Sequence, residues 1–183
     1  MDYEYFMTKA LQQAETALAA GEFPVGCVMV HADRIIATGA REGTTGDCTN
    51  EVDHAEMVAL RRLISLKTNI NLREVILFST LEPCLMCFGA LMISAIGQII
   101  FAYEDAMGGG TRCDLTKLPP LYKENQISII PNILRKKSIQ LLKAFFANPA
   151  NTYLRAVFWP VIHFANKQSP QIFGSLCKRL YAR

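Results

Sequence analysis

The chain of 183 residues lacks a dominant charge of either sign: 19 Lys and Arg stand against 16 Asp and Glu, a net charge of +3. That balance excludes a surface given over wholly to a polyanion, though a local basic patch is compatible with it. There is no internal repeat and no low-complexity segment, so the elements can be read in order. The apolar stretch of the tail, Tyr153 to Phe164, is about a dozen residues with Pro160 inside it, short of the roughly 20 that cross a bilayer, and stable membrane insertion is not expected. Met1-Asp2-Tyr3-Glu4 lacks the basic start and apolar stretch of a secretory signal, which points to a cytoplasmic location. The six cysteines do not read as a disulfide framework. Two sit at metal spacing, and Cys27, Cys48, Cys113 and Cys177 are scattered through a chain too large to need staples. At 51% hydrophobic, the chain can bury one substantial core.

What is present is a split signature, His54-Ala55-Glu56 and then Pro83-Cys84-Leu85-Met86-Cys87. His54, Cys84 and Cys87 supply three ligands suited to Zn2+, and no second Cys-x-x-Cys or His-x-x-x-His closes the set. Structural zinc is normally closed by four protein ligands, whereas catalytic zinc keeps a position for water. Glu56 is then free to handle protons, and the pattern reads as that of a hydrolase. A lone Cys-x-x-Cys also suits a redox pair or a structural half-site, but neither accounts for His-Ala-Glu. His31, in a turn, and His163, in the tail, read as unrelated to metal.

The apolar periodicity predicts a helix over residues 3 to 20, ending at Gly21, and strands over Val25 to Val30 and Ile35 to Gly39. A polar loop from Arg41 to Asp53 leads to a helix from His54 to about Leu66. A strand over Val75 to Ser79, a helix over Cys84 to Ala95 and a strand over Gln98 to Tyr103 follow. The Gly108-Gly109-Gly110 run reads as a flexible turn, Ile127 to Ile130 as the last strand, and 134 to 147 as an amphipathic helix. This alternation indicates an α/β layered domain. Helix N-termini carry partial positive charge and favour the thiolate that zinc requires, so cysteines opening a helix are well placed. Pro83 suits a helix start because its missing N–H would lack a helical partner.

His-x-Glu followed by Pro-Cys-x-x-Cys resembles the signature of the zinc deaminases. With Gly21-Glu22-Phe23-Pro24-Val25-Gly26, Thr80-Leu81-Glu82-Pro83-Cys84 and Phe145-Phe146, the chain resembles the cytidine deaminase-like superfamily. The likeness lies in the branch of tRNA adenosine deaminases and bacterial guanine deaminases, and it covers about residues 3 to 147. It implies a three-layer α/β/α fold with a five-stranded mixed sheet, one Zn2+ per subunit, and Glu56 as the proton carrier. It also implies that Phe23 walls the base pocket, that backbone near Ala55 and Pro83 helps to place the ring, and that Glu82 supports its loop. The domain is expected over 1–150, with 151–183 an apolar C-terminal extension packed on the domain or on a partner in a homodimer.

One departure bears on substrate. Arg41 follows Gly39-Ala40 where many relatives carry asparagine, and arginine offers donors only. It can engage a carbonyl, phosphate or carboxylate, or pair with Glu42; in a shifted alignment Asn50 supplies the amide instead. Glu42, Asp47, Glu51 and Asp53 make the following loop acidic, which disfavours a polynucleotide, while Arg135-Lys136-Lys137 and Lys178-Arg179 with Arg183 favour one. The expected reaction is hydrolytic deamination of an aminopurine or aminopyrimidine as free base or nucleoside. The alternatives are adenosine-to-inosine conversion in tRNA and a non-catalytic zinc-stabilised binding module.

Overall fold

The computed structural model describes residues 1–45, 49–67, 69–125 and 127–164. Asp47, Cys48, Cys177, Lys178, Arg179 and Arg183 lie outside the described residues, as does the side chain of His163.

Helix α1 (Tyr3–Ala19) begins where the Asp2 carboxylate accepts the Tyr5 amide at 3.0 Å. It stops at Gly21, whose φ of +79° lets Glu22 N reach Ala17 O and Gly21 N reach Leu18 O, a Schellman cap. Strands β1 (Gly26–His31) and β2 (Arg34–Ala40) form a hairpin with Ala32 and Asp33 both at positive φ, as a two-residue turn of the I′ type requires. Then come α2 (Ala55–Ser65), β3 (Ile76–Leu81), α3 (Leu85–Ile93) and β4 (Gln98–Tyr103). The short α4 (Pro120–Lys123), β5 (Ser128–Ile130), α5 (Arg135–Ala147) and α6 (Arg155–Phe164) complete the order.

The strands run β2-β1-β3-β4-β5, antiparallel across the first three and parallel across the last three, which is the expected five-stranded mixed sheet. Alternation along the strands sorts the core by face. Val28, Val30, Phe78 and Ile100 pack with Phe6, Met7 and Ala10 of α1. Cys27, Met29, Leu77 and Ile99 pack with Ala59 and Leu63 of α2 and Phe88 and Leu91 of α3. Helices therefore cover both faces, and α5 lies beside α1. Predicted and observed boundaries agree to within one or two residues; the largest differences are that α3 ends at Ile93, short of Ala95, and that β3 runs on to Leu81.

The apolar tail carries a helix that the sequence reading left unassigned. In α6, Phe158, Val161 and Ile162 are buried, and Phe158 stands 5.5 Å from the ring of Phe23. No helix among the described residues is long and apolar enough to cross a membrane.

Candidate active site and metal centre

His54 and Cys84 are the N-cap residues of α2 and α3, and neither side chain is spent on capping its helix. Both are therefore free to turn toward one point. His54 Nδ1 lies 3.4 Å from Cys84 Sγ and 3.5 Å from Cys87 Sγ. Zinc bonds of roughly 2.3 Å to sulfur and 2.0–2.1 Å to nitrogen, at tetrahedral angles, set these atoms roughly 3.5 Å apart. The donor set thus fits a tetrahedral zinc by geometry as well as by chemistry, and these three residues can hold one metal ion. Pro83 sits one residue before the N-cap, outside the helix; its carbonyl accepts Gly110 N at 2.9 Å. Its missing N–H therefore has no bearing on how α3 begins, contrary to the sequence argument.

Glu56 is 3% exposed, and burial pushes its carboxyl above the usual range, against hydrogen bonding at its own backbone N–H and the nearby His54 and Ser79. Ser79 Oγ donates to Oε1 at 3.0 Å, leaving Oε2 beside the metal donors at 3.7 Å from Cys87 Sγ. Among the thiols themselves, the hydrogen bond from Cys87 pulls Cys84 down to about 4, with His54 assisting and burial opposing. The same bond and burial hold Cys87 up. The Cys84 bond likewise raises His54.

A second ring of groups fixes the loop that bears Cys84. Buried Glu82 accepts Asp105 N at 3.0 Å and the Thr111 hydroxyl at 2.5 Å, a supporting role as expected. Asp105, also buried, accepts Met107 N and Gly108 N. The glycine run is a close approach and not merely a flexible turn. A Cβ on Gly109 would meet the Glu82 carboxylate at 2.5 Å, and one on Gly110 would meet the Leu85 backbone at 2.7 Å.

A cavity of about 440 Å³, mouth included, opens onto His54, Ala55 and Glu56. Phe23 stands in its wall, held edge-on to Phe145 at 5.5 Å. Asp105 and Leu81 line it too, and so do Tyr153, Leu154 and Phe158 from the C-terminal segment; Pro83 and Asn50 are not among its lining residues. The Asn50 side chain is instead engaged by Val52 N, Asp53 N and the Asp53 carboxylate. Arg41 reaches the cavity but is 3% exposed, and it donates to the carbonyls of Glu42, Asn50 and Asp53 and to the Glu51 carboxylate. Its carboxylate partner is therefore Glu51; Glu42 contributes its carbonyl to Arg41 and its carboxylate to Arg62. With Asp53 paired to Arg61, the described acids of this loop are each matched by an arginine, and the mouth is less acidic than composition implies.

Residues 1–103 match the family model of the cytidine and deoxycytidylate deaminase zinc-binding region. The chain belongs to this family. Among curated relatives, tRNA-specific adenosine deaminase 2 of Xenopus laevis is 31% identical over 153 residues, covering 79% of this chain and 86% of its own length. The solved guanine deaminase of Nitrosomonas europaea shares the fold, with a TM-score of 0.62 at 23% identity over 78% of this chain and 83% of that one. Guanine deaminase of Bacillus subtilis is 32% identical, with a TM-score of 0.51, over 57% of this chain and 66% of that one. The deaminase is a zinc-dependent hydrolytic enzyme, and the redox-pair, half-site and binding-module readings fall away. Ser79, Asp105, Tyr153, Leu154 and Phe158 were not identified from sequence. The local signals were the apolar run from Tyr153 to Phe164, which was read as packing on the domain, and the place of Ser79 near the end of the strand that leads to the cysteines.

Proposed function

We propose that the deaminase removes the amino group of a free aminopurine or aminopyrimidine base, or of its nucleoside, releasing ammonia. His54, Cys84 and Cys87 hold one Zn2+, which supplies Lewis acidity and brings the pKa of water down toward about 7. Glu56 Oε2 takes the proton of the attacking water and passes it to the ring nitrogen. It then carries a proton to the amino group, which leaves as ammonia while the ring carbon keeps the oxygen as a carbonyl. The Ser79 hydroxyl holds Oε1 throughout, so that the carboxylate pivots little. Phe23 walls the ring, and backbone at Ala55 assists in placing it.

The observation that carries the small-substrate reading is the covered cavity. Tyr153, Leu154 and Phe158 lie in its lining, and its one lining arginine is committed to the protein's own carbonyls and carboxylates. A polynucleotide needs cations for its phosphates, and Arg41 has none of its charge to spare. The reading in which the substrate is an adenosine of tRNA is favoured by the 31% identity to a tRNA-specific adenosine deaminase. Ammonia release from zinc-loaded protein, measured over bases, nucleosides, nucleotides and an anticodon-loop hairpin, separates the two. Turnover of one small compound is expected; turnover of the hairpin alone would replace this reading with tRNA editing.

We also infer a homodimer, a cytoplasmic setting, and a division into a deaminase domain over 1–150 and an extension over 151–183. Leu85 and Ile93, 61% and 59% exposed with Met86 beside them, leave one side of α3 apolar and suited to a second copy. Cys27, Cys84, Cys87 and Cys113 are free, as suits a reducing compartment. Sedimentation equilibrium tests the dimer, with Ile93→Glu expected to yield monomer.

A further inference from the structure

Arg41 stands at a junction. One guanidinium nitrogen donates to Asp53 O at 3.0 Å, the peptide immediately before His54, and to Asn50 O at 2.8 Å. The other donates to Glu51 Oε2 at 3.2 Å and to the Tyr153 hydroxyl at 3.3 Å. Tyr153 completes the triangle by donating to the same Glu51 oxygen at 2.7 Å, and its ring lies 5.8 Å from the guanidinium carbon. A single buried side chain therefore ties the C-terminal segment to the loop that delivers a metal ligand. Leu154, next in the chain, lines the cavity with φ at +50°, a conformation that leucine adopts only when its surroundings over-determine it. The residues on either side supply that constraint. Tyr153 is held by the clamp, and Arg155 donates to Asn148 O and Asn151 O.

We propose that Arg41 and Glu51 clamp the Tyr153 hydroxyl, so that Tyr153 and Leu154 close the catalytic cavity as a fixed cover and determine how large a substituent on the ring the enzyme accepts. Arg41 is in this account a positioning residue and not a ligand of the substrate. The inference rests on the small-substrate reading for its enzymatic consequence, but the clamp itself is a property of the chain. Removing the hydroxyl alone frees the cover while keeping the aromatic wall. Trimming Leu154 enlarges the opening without touching the clamp. Both changes relieve the restriction against a sugar more than against a bare ring, because a bare ring is already the smaller guest.

The test compares Tyr153→Phe, Leu154→Ala and Arg41→Met with the wild-type full chain, all loaded with zinc. The ratio of nucleoside to free-base kcat/KM is expected to rise about tenfold or more in Tyr153→Phe and Leu154→Ala, mainly through a lower KM for the nucleoside. A ratio within twofold of wild type in both would overturn the assignment of specificity. Hydrogen exchange reads the clamp without any substrate. Amides in residues 152–158 should exchange at least tenfold faster in Tyr153→Phe, and in Arg41→Met those of 50–54 should follow. Unchanged exchange in Tyr153→Phe refutes the clamp, and this variant decides the matter alone if Arg41→Met does not fold. Should no small compound be turned over by the wild type, the proposed substrate class fails while the exchange result still stands or falls by itself.

Discussion

Gly39 lies on β2 directly beneath the first turn of α2, and adding one methyl group there should disable the site from behind. A Cβ at this position would stand 2.0 Å from Ala55 O and 2.9 Å from Ala59 N, both helix backbone atoms. Ordinary contact begins near 3.4 Å, so α2 or the strand must yield by about 1.4 Å (3.4 − 2.0). Ala55 is flanked by His54 and Glu56, and the displacement therefore falls on a metal ligand and on the proton carrier together. A misplacement of about 1 Å can cost roughly 100-fold in rate. Overpacking of this kind costs about 1–3 kcal/mol of stability, and a chain of this size loses roughly 2–4 °C of Tm for each of those. Gly39→Ala is thus expected to lower kcat by about two orders of magnitude, reduce bound zinc below one per chain, and depress Tm by roughly 2–12 °C. A control for zinc content is Gly89→Ala on α3, where a Cβ meets nothing of its own chain within 4 Å, read as monomer because Gly89 lies between Leu85 and Ile93 on the face proposed to meet a second copy. It should keep full zinc and gain about 0.4–1 kcal/mol from the lost flexibility of the unfolded chain. Zinc by metal analysis, Tm by calorimetry and ammonia release by a coupled assay suffice. Wild-type zinc, Tm and turnover in Gly39→Ala would show that α2 does not set the site geometry by its seat on β2.

Glu56→Gln should keep its zinc and lose about 10²–10⁴ in kcat, the usual worth of a positioned proton carrier; an unaltered rate would remove Glu56 from the mechanism. Ser79→Ala leaves a buried carboxylate oxygen without its donor, a loss of about 1–3 kcal/mol that should appear in Tm and kcat while zinc content stays at one per chain. Chelation should abolish turnover, and added Zn2+ should restore it; turnover that persists after verified metal removal would contradict hydrolytic zinc chemistry.

The candidate metal-holding residues, which the fold brings within reach of one ion, were legible because their code is local. Cys84 and Cys87 share one helix start, and His54 opens the other, so spacing alone sufficed to bring each near an N-terminus. The strands were legible as short apolar runs bounded by turns, but the face that each residue of the buried β1 takes was not. Arg41 was not legible in the same way. Its two terminal guanidinium nitrogens are engaged by carbonyls at 42, 50 and 53 and by groups as distant as Tyr153, and no periodicity encodes contacts of such unequal separation. The glycine run at 108–110 misled for a related reason. Its glycines are needed for what crosses them, the Glu82 carboxylate and the Cys84–Leu85 backbone, and not for the turn they form.

The same topology explains why the chemistry collects where it does. β3 is the strand at which the sheet changes from antiparallel to parallel pairing, with β1 on one side and β4 on the other. Its C-terminal end delivers Ser79, Glu82 and Cys84, and the parallel neighbour β4 ends at the same level, just before Asp105. Helices α2 and α3 point their N-termini at this edge, so their partial positive charges add where thiolates must form. Such an edge attracts anionic ligands in general, and here Glu56, Glu82 and Asp105 occupy it from within. The cavity at this edge is thus bounded by His54 and Cys84 of the candidate metal set, by Glu56 and by the aromatic wall of Phe23, which is the arrangement on which the proposed reaction rests.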